Sequence, residues 1–570
     1  MHKGEKYVKK LKFSAKIMGI VLLLIILVCA IGFAAWKTLG KGWFDDLERL
    51  RDNPIAEIYT ESYQEDVQKE IDQLKAERYY TPEDPLLLVN PYGTNTTGLY
   101  IYFQTDESVR VSYTIHADGY ADFFRTLSGQ ASSEHEHQLI GMVPSALNTI
   151  TINLLDDDGN IVTSHSFEQQ APALLRGEEF TTLTVEEGTS TQQLGDTLYT
   201  MLGPQEKATF TYQPYTIAYD ASGVARMELP LVEYRTERQV FANGLMYYNI
   251  SYNTIVGVNS LGKMVQRLDL DHYSMHHDYN LGSENDLLVL ASRDDDTTVE
   301  DRIVRIDLAS GKVSELVDLS ELFSDYVAQL NNPLDDNLLQ RVIHWTQFES
   351  YTTLNWIHIN SIEPLDEDSV LLSSRETSTI IKIDNIYDEP TIDYMIGSPQ
   401  FWEGSGYEDL LLTQVGEFSL HGGQHALSVQ YDSSLEDGQY YVTFFNNNNT
   451  ICWGRSYDYT ADPNYWDTGM DWFADAIENA GTPELNSYYY KYLVDENAET
   501  FELVESIPAA YSGYISSVED IGSTKVICSG IATEAVILDE NNELIQSMTS
   551  NYDYWWYRVF GYDYQGFWFD

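Results

Sequence analysis

His277-Asp-Tyr-Asn-Leu-Gly-Ser-Glu-Asn-Asp-Leu-Leu-Val-Leu-Ala-Ser-Arg293, followed by Arg302-Ile-Val-Arg-Ile-Asp307, is the stretch that decides the fold, because it recurs. The second copy is His358-Ile-Asn-Ser-Ile-Glu-Pro-Leu-Asp-Glu-Asp-Ser-Val-Leu-Leu-Ser-Ser-Arg375, then Thr379-Ile-Ile-Lys-Ile-Asp384. Each copy opens on a histidine, runs through an apolar strand after an acidic turn, and closes on a second strand ending Ile-Asp. A third copy begins at His425 and a fourth at Ser516, with fainter ones near 208–230 and 238–270. Repeats of short strands at this length indicate a β-propeller, read here as six blades over 206–570. Residues at the start of each innermost strand then converge on the channel axis. His277, His358, His425 and Ser516 are therefore expected to meet.

Upstream of the repeat, Leu99-Tyr-Ile-Tyr-Phe, Val109–Ile115, Thr149–Leu155 and Asn160–His165 alternate with period two. Asp156-Asp-Asp-Gly-Asn160 between the last two reads as a hairpin turn, with a calcium loop as the less favoured reading. Residues 85–175 are read as a β-sandwich of immunoglobulin or fibronectin type, and 176–205 as a linker. Residues 44–80 show helical spacing, divided at Pro54, and the 37–84 stretch reads as a helical stalk or linker, or a helix packed on the body.

The charge divides the chain again. The formal net charge is −56, yet the first 16 residues hold six lysines and one acid, so the remainder carries −61. Between them Ile17–Trp36 contains no charged residue. Twenty helical residues span about 30 Å, the thickness of the hydrocarbon core. The reading is a transmembrane signal-anchor helix at 17–36 with a cytoplasmic basic tip at 1–16 and an extracellular body. A cleaved signal peptide is the competing reading. Bulk acidity excludes a general nucleic-acid binder, because counterion release needs clustered Lys and Arg. Three cysteines cannot build a disulfide framework; Cys452 and Cys528 default to buried free thiols, with a pairing between them left open. The fold class is thus all-β: a six-bladed propeller with an N-terminal β-sandwich, preceded by a transmembrane helix and helical stalk.

Seven of the 12 histidines fall between 272 and 425: His272, His276, His277, His344, His358, His421 and His425. Convergent imidazoles allow a metal site that Asp278 would complete, acid–base or nucleophilic catalysis, or an anion cradle. Arg375 favours the cradle, since a guanidinium is repelled by a divalent ion but binds a tetrahedral oxyanion in bidentate fashion, and Asn360 adds a donor. No metal and no cofactor is expected, and no phosphate-binding Gly-rich loop occurs.

These residues resemble the bacterial aryl sulfotransferases that draw on an aryl sulfate rather than a nucleotide donor. The resemblance rests on Trp356-Ile-His-Ile-Asn-Ser-Ile with Leu371–Asp384, on His276-His-Asp, and on Gly422-Gly-Gln-His-Ala, in that family's order. It implies a six-bladed catalytic propeller behind a β-sandwich. It implies His425 as nucleophile, forming a sulfo-histidine in a ping-pong cycle, and His358, Arg375 and His277 as groups on the sulfuryl oxygens. Asn360, Ser516 (where the family usually has Thr) and His276 would lie among the substrate-binding residues, His276 being the less favoured of its pair. An aryl sulfate donor, a phenolic acceptor and an isologous homodimer are the partners implied. Two other classes stay open: a non-catalytic extracellular propeller that binds glycans or protein through rim loops, and a metal-dependent propeller lyase or hydrolase.

Overall fold

Asp and Asn residues at strand ends set the rhythm of the body. Asp220 Oδ1 accepts from the backbone of Ser222 and Val224, Asn259 Oδ1 from Leu261 and Lys263, and Asp539 Oδ1 from Asn541 and Glu543. Asp307 Oδ1 takes the Ser310 N–H. Each closes a tight turn between neighbouring strands, which is the physical content of the recurrent Ile-Asp ending. The computed structural model describes residues 54–177, 182–207, 211–294, 296–330, 354–450, 452, 457, 461–465, 477–550, 552 and 554–570.

The strands pair into six antiparallel sheets of a propeller. The second blade is Val240–Ala242, Leu245–Ser251, Thr254–Val258 and Met264–Asp269; the third is Tyr273–Leu281, Asp286–Arg293, Arg302–Asp307 and Val313–Asp318. The fourth is Ile359–Pro364, Val370–Ser374, Thr379–Asp384 and Thr391–Ile396. The fifth runs His425–Gln430, Gln439–Asn446, Asn486–Asp495 and Thr500–Ala510, with Thr413–Val415 added in parallel at its edge. The sixth is Ser517–Ile521, Thr524–Ser529, Glu534–Leu538 and Leu544–Ser550. From the second blade to the sixth, the first strands touch one another in turn, and so form the inner ring.

The ring is closed twice. The C-terminal strand Arg558–Tyr562 pairs with Leu198–Leu202, completing a first blade that continues through Tyr215–Tyr219 and Ala225–Pro230. Leu183–Glu187 pairs with Leu544–Ser550 on the outside of the sixth blade. The stretch read as a 176–205 linker therefore supplies two propeller strands. Its polar middle, Gly188-Thr-Ser-Thr-Gln-Gln, hides short strands whose pairing partners lie at the far end of the chain.

The sandwich is organised by one long strand, Leu99–His116. Its first half pairs with Leu86–Val89 and Ser132–Leu139, and its second half with Phe123–Thr126 and Leu147–Leu155. Asp156 Oδ1 accepts from the Asp158 and Asn160 backbones and turns the Leu147–Leu155 strand into Ile161–Gln170. That commits this oxygen to the hairpin. Gly141 N–H donates to Arg226 O and Arg226 Nη1 donates to Gly141 O, each at 2.9 Å, fastening sandwich to propeller.

The helical stretch is a strut rather than a stalk. The helix Glu61–Glu77 begins on Thr60, whose hydroxyl accepts from Tyr63 N. Ile71, with Val67 and Leu74, packs on Tyr80 and on Tyr92, Tyr100 and Tyr102 of the sandwich. Buried Gln64 donates to Tyr92 O at 3.0 Å and accepts from Met264 N in the second blade at 3.0 Å. A charged helix with one apolar stripe gains most by burying that stripe, and two surfaces are there to receive it.

The basic tip 1–16 and the apolar run 17–36 lie outside the described residues. Among the described residues no helix is long and apolar enough to cross a membrane. Cys452 and Cys528 are both free thiols, so the disulfide left open is not formed.

Candidate functional site

The innermost strands of blades three, four and five do not run straight. Each shifts register at its start: between Met275 and Tyr279, between Ile359 and Ser361, and between His425 and Ser428. At or beside each shift a non-glycine residue takes a left-handed backbone, His277 at φ 66°, His358 at φ 50° and Ala426 at φ 56°. Bulges of this kind re-aim a side chain out of the ladder, and they cost strain that persists where the surroundings enforce it. The three imidazoles thereby turn toward one another. Ring centroids lie 4.7 Å apart for His277 and His358, and 6.1 Å apart for His277 and His425.

His425 is held by its Nδ1. That atom meets Gly423 O at 2.9 Å and Asn447 Oδ1 at 2.8 Å. The Asn447 amide is oriented by its own nitrogen, which donates to Ser512 O and Ile515 O at 2.7 and 2.9 Å. Two acceptors around Nδ1 assign the proton there, leaving the Nε2 lone pair as the reactive one. Burial holds the His425 pKa well below the usual value; the Asn447 hydrogen bond opposes this, and the charges of Arg375 and Arg558 add to it. The approach of this segment needs Gly423, at φ 61°: a Cβ there would stand 2.5 Å from Asn449 O.

His277 and His358 are joined, Nε2 to Nε2, at 2.7 Å. Arg235 Nη2 stands 3.0 Å from His277 Nδ1, and Tyr557 Oη 2.8 Å from the same atom. A guanidinium only donates, so His277 Nδ1 is an acceptor and its proton lies on Nε2, aimed at His358. His358 Nδ1 contacts the carboxylate of Glu300, which also receives Asn355 Nδ2 at 2.7 Å. Burial keeps both His277 and His358 well below the usual histidine range, with neighbouring His276 adding to His277 and Arg375 to His358. Arg235 is itself buried. Burial disfavours its charge, but Glu237 and the surrounding tyrosines outweigh that and keep it fully cationic.

Arg375 enters from the fourth blade with its backbone N–H on His358 O at 3.2 Å. Its guanidinium is paired with buried Glu376, its neighbour in sequence. Burial acts against the charge, but Glu376 and then Glu300 hold the Arg375 pKa above its usual value.

The other expected residues are placed as follows. Asn360 Nδ2 donates to Gln424 O at 2.8 Å, so it braces the residue before His425. Ser516, at φ 88°, spends its hydroxyl on Ser512 Oγ, Tyr514 O and the Gly530 N–H; none of these belongs to the cluster. His276 Nε2 lies 3.0 Å from Glu300 Oε1, beside the cluster, and burial lowers its pKa to about 3. Asp278 is ion-paired to Arg558 at 2.9 Å and Arg238 at 3.1 Å and receives Ser361 Oγ, tying four blades together. His421 is buried against Phe444 and Tyr492, His272 is exposed, and His344 lies outside the described residues.

His276, His277, Glu300 and His358 bring potential ligand atoms within 4.8 Å of one another. Their hydrogen bonding does not fit a metal. The His277 Nε2 that faces the set carries the proton forced on it by Arg235, and Asp278, read as the completing ligand, is committed elsewhere.

Sequence reasoning missed Arg235, Glu300, Tyr557 and Asn447. The Asn446–Asn449 run lines the back of the His425 segment: Asn446 Oδ1 accepts from Gly422 N and Asn449 Nδ2 donates to Gly513 O. Four adjacent amides opposite a Gly-Gly-Gln-His were the available signal. Arg235 and Tyr557 come from the joints between blades, where no repeat position marks them.

What remains around His277 Nε2, His358 Nε2, His425 Nε2 and Arg375 is a buried set of neutral imidazoles and cations. It suits a tetrahedral anion with one nucleophilic nitrogen in reach. Residues 184–555 match the Arylsulfotransferase (ASST) family, and residues 86–172 match the Arylsulfotransferase Ig-like domain. Among solved structures, an auxiliary nutrient binding protein from Bacteroides thetaiotaomicron VPI-5482 is 10% identical with a TM-score of 0.27, over 82% of this chain and 86% of that one. BamB from Moraxella catarrhalis is 9% identical with a TM-score of 0.29, over 64% and 92%. No curated protein matches the chain. Both parts of the body thus match one family, and in the order sandwich then propeller: the chain belongs to the arylsulfotransferases, a membership that supports aryl sulfotransferase activity with an aryl sulfate donor and a phenol acceptor.

Proposed function

We propose that the protein moves a sulfuryl group from an aryl sulfate ester to a phenol by a ping-pong mechanism through a sulfo-histidine at His425, with no nucleotide donor. The observation that carries this is the Nδ1 grip on His425 by Gly423 O and Asn447 Oδ1, which leaves a neutral imidazole with Nε2 free to attack. In-line attack on sulfur releases a phenolate. Sulfuryl transfer of this kind is loose, so positioning and anion stabilisation dominate, as in phosphoryl transfer. His277, His358 and Arg375 take the sulfuryl oxygens, and each such donor contributes about 10²- to 10³-fold. The phenol acceptor then takes the group back from Nε2.

The test is a single turnover with an aryl [³⁵S]sulfate and no acceptor. The expected result is one acid-labile label per chain, mapped to residue 425 and discharged by added phenol. Label at another residue, or transfer with no labelled enzyme, would refute the mechanism.

The basic tip and apolar run support a second proposal, that the body is held outside the cytoplasm on a membrane anchor at 17–36. Protease treatment of intact cells should then degrade the body and spare a short N-terminal fragment.

A further inference from the structure

The His277–His358 contact is part of a chain with opposite charges at its ends. Arg235 donates to His277 Nδ1 (3.0 Å), His277 Nε2–H donates to His358 Nε2 (2.7 Å), and His358 Nδ1 faces the Glu300 carboxylate. The fixed donor at the Arg235 end assigns the proton of His277; His358 Nδ1 lies against both the Glu300 carboxylate and Asn355 Nδ2, the latter at 2.8 Å. Glu300 is not an incidental neighbour. It sits at φ 58°, its backbone N–H donates to Ser292 Oγ at 2.8 Å, its carbonyl accepts from the Ile359 N–H, and its carboxylate accepts from Asn355 Nδ2. Three hydrogen bonds aim one carboxylate at the far side of His358.

The consequence appears when an aryl sulfate binds. Its oxygens need the space between His277 and His358. His277 Nε2–H can turn to a sulfuryl or ester oxygen unchanged. His358 Nε2 cannot: it presents a lone pair to an anion, unless it gains a proton. Around His358 stand His276, His277 and Glu300 from the third blade, Arg375 from its own, His425 from the fifth, and Arg235 from the joint before the second blade. Burial first, and then the two guanidiniums, disfavour a proton on His358 in the free protein; a bound anion offsets the guanidiniums, and Glu300 is the carboxylate in direct contact with its ring.

We infer that Glu300 is a positioning residue that lets His358 take up one proton as the aryl sulfate binds, so that His358 then protonates the leaving phenolate. This rests on the sulfotransferase reading above. In the first half-reaction the His425 Nε2–S bond forms and the S–O(aryl) bond breaks, its electron pair going to the aryl oxygen. The proton on His358 Nε2 passes to that oxygen, giving a neutral phenol and a neutral His358. In the second half the acceptor phenol returns its proton to His358 as its oxygen attacks sulfur. The proton count closes over the cycle.

The wild-type protein is tested first, by calorimetry with 4-methylbenzenesulfonate, an aryl anion with no transferable group, in two buffers of unlike ionisation enthalpy at pH 7.5. Uptake of about one proton per anion is expected from the balance above; binding with no uptake overturns the inference without any variant. Glu300→Gln is then compared on two donors. General acid catalysis is worth about 10²- to 10⁴-fold. The variant should lose at least about 10²-fold in kcat/KM on phenyl sulfate, whose phenolate leaves poorly, but little on 4-nitrophenyl sulfate. Equal losses on both donors overturn the role of Glu300. A wild-type protein that forms no sulfo-enzyme from either donor overturns the parent reading and this one with it.

Discussion

Two adjacent residues of the third blade, His277 and Asp278, belong to two different regions. His277 opens into a cluster of neutral imidazoles whose nitrogens meet side chains that a substrate can replace. Asp278 closes a buried ion network with Arg238, Arg558 and Ser361 in which the carboxylate is fully committed. Both regions are assembled from the innermost strands, and both bring several blades together. The bulge between Met275 and Tyr279 separates them, sending one side chain to the cluster and the next into the seam. The first region can spend its hydrogen bonds on a ligand because the second holds the blades in place without it.

The sharpest way to break that division is Asp278→Ala. Removing one partner strands Arg238 and Arg558 in the interior, and breaking such a buried pair costs about 3–5 kcal/mol. Chemical denaturation should show a loss of that size. A variant with wild-type stability and no activity would mean that Asp278 belongs to the chemistry after all.

Asn447→Ala probes the other side. It frees the His425 ring to adopt either tautomer while keeping the proposed nucleophile. We expect kcat to fall by about 10²-fold with thermal stability only modestly reduced, on the scale of a buried hydrogen bond. Asn447 donates to two carbonyls, so a large fall in stability with intact sulfo-enzyme formation would move it into the structural region.

Ser516→Ala sharpens the comparison between blades. The sixth blade repeats the left-handed backbone, but its hydroxyl holds the turn. The substitution should cost about 1–3 kcal/mol by leaving the Gly530 N–H unpaired and change kcat/KM by less than about threefold. A loss like that expected for an oxyanion donor, about 10²-fold or more, would put this hydroxyl back on the substrate.

The smallest effect concerns a histidine outside both regions. Burial lowers the His421 pKa to about 3 against an ordinary value of 6.5. The unfolded chain therefore takes up a proton below about 6.5 that the native protein refuses until about 3, and native stability drains away as pH falls through that window. The melting temperature of His421→Phe should rise relative to wild type from pH 6.5 downward. A difference independent of pH would mean that the folded protein already carries that proton.

The repeat of His277–Asp307 and His358–Asp384 was enough to give blades, and three imidazoles at matching positions were enough to give convergence. The strand-end aspartates were legible too, because a turn that needs a side-chain acceptor leaves a residue type at a fixed place. The strands hidden in 176–205 were not, because pairing between Leu183–Glu187 and Leu544–Ser550 depends on a partner more than 350 residues away. For the same reason the sequence left the helix Glu61–Glu77 between a stalk and a helix packed on the body: its stripe was visible, but the surfaces covering it were not.

The site divides along the same line. The sequence by itself determined which residues are candidates for the proposed chemistry, since a nucleophilic imidazole and an oxyanion donor must be His and Arg, and a repeat brings its equivalent positions to one axis. Only the tertiary structure decided their states. Which nitrogen of His425 holds the proton, that Arg235 governs His277, that Glu300 stands behind His358, and that Ser516 is spent on its own turn all follow from hydrogen bonds between blades. Such bonds depend on distance and direction in space, and neither is written in the order of the residues.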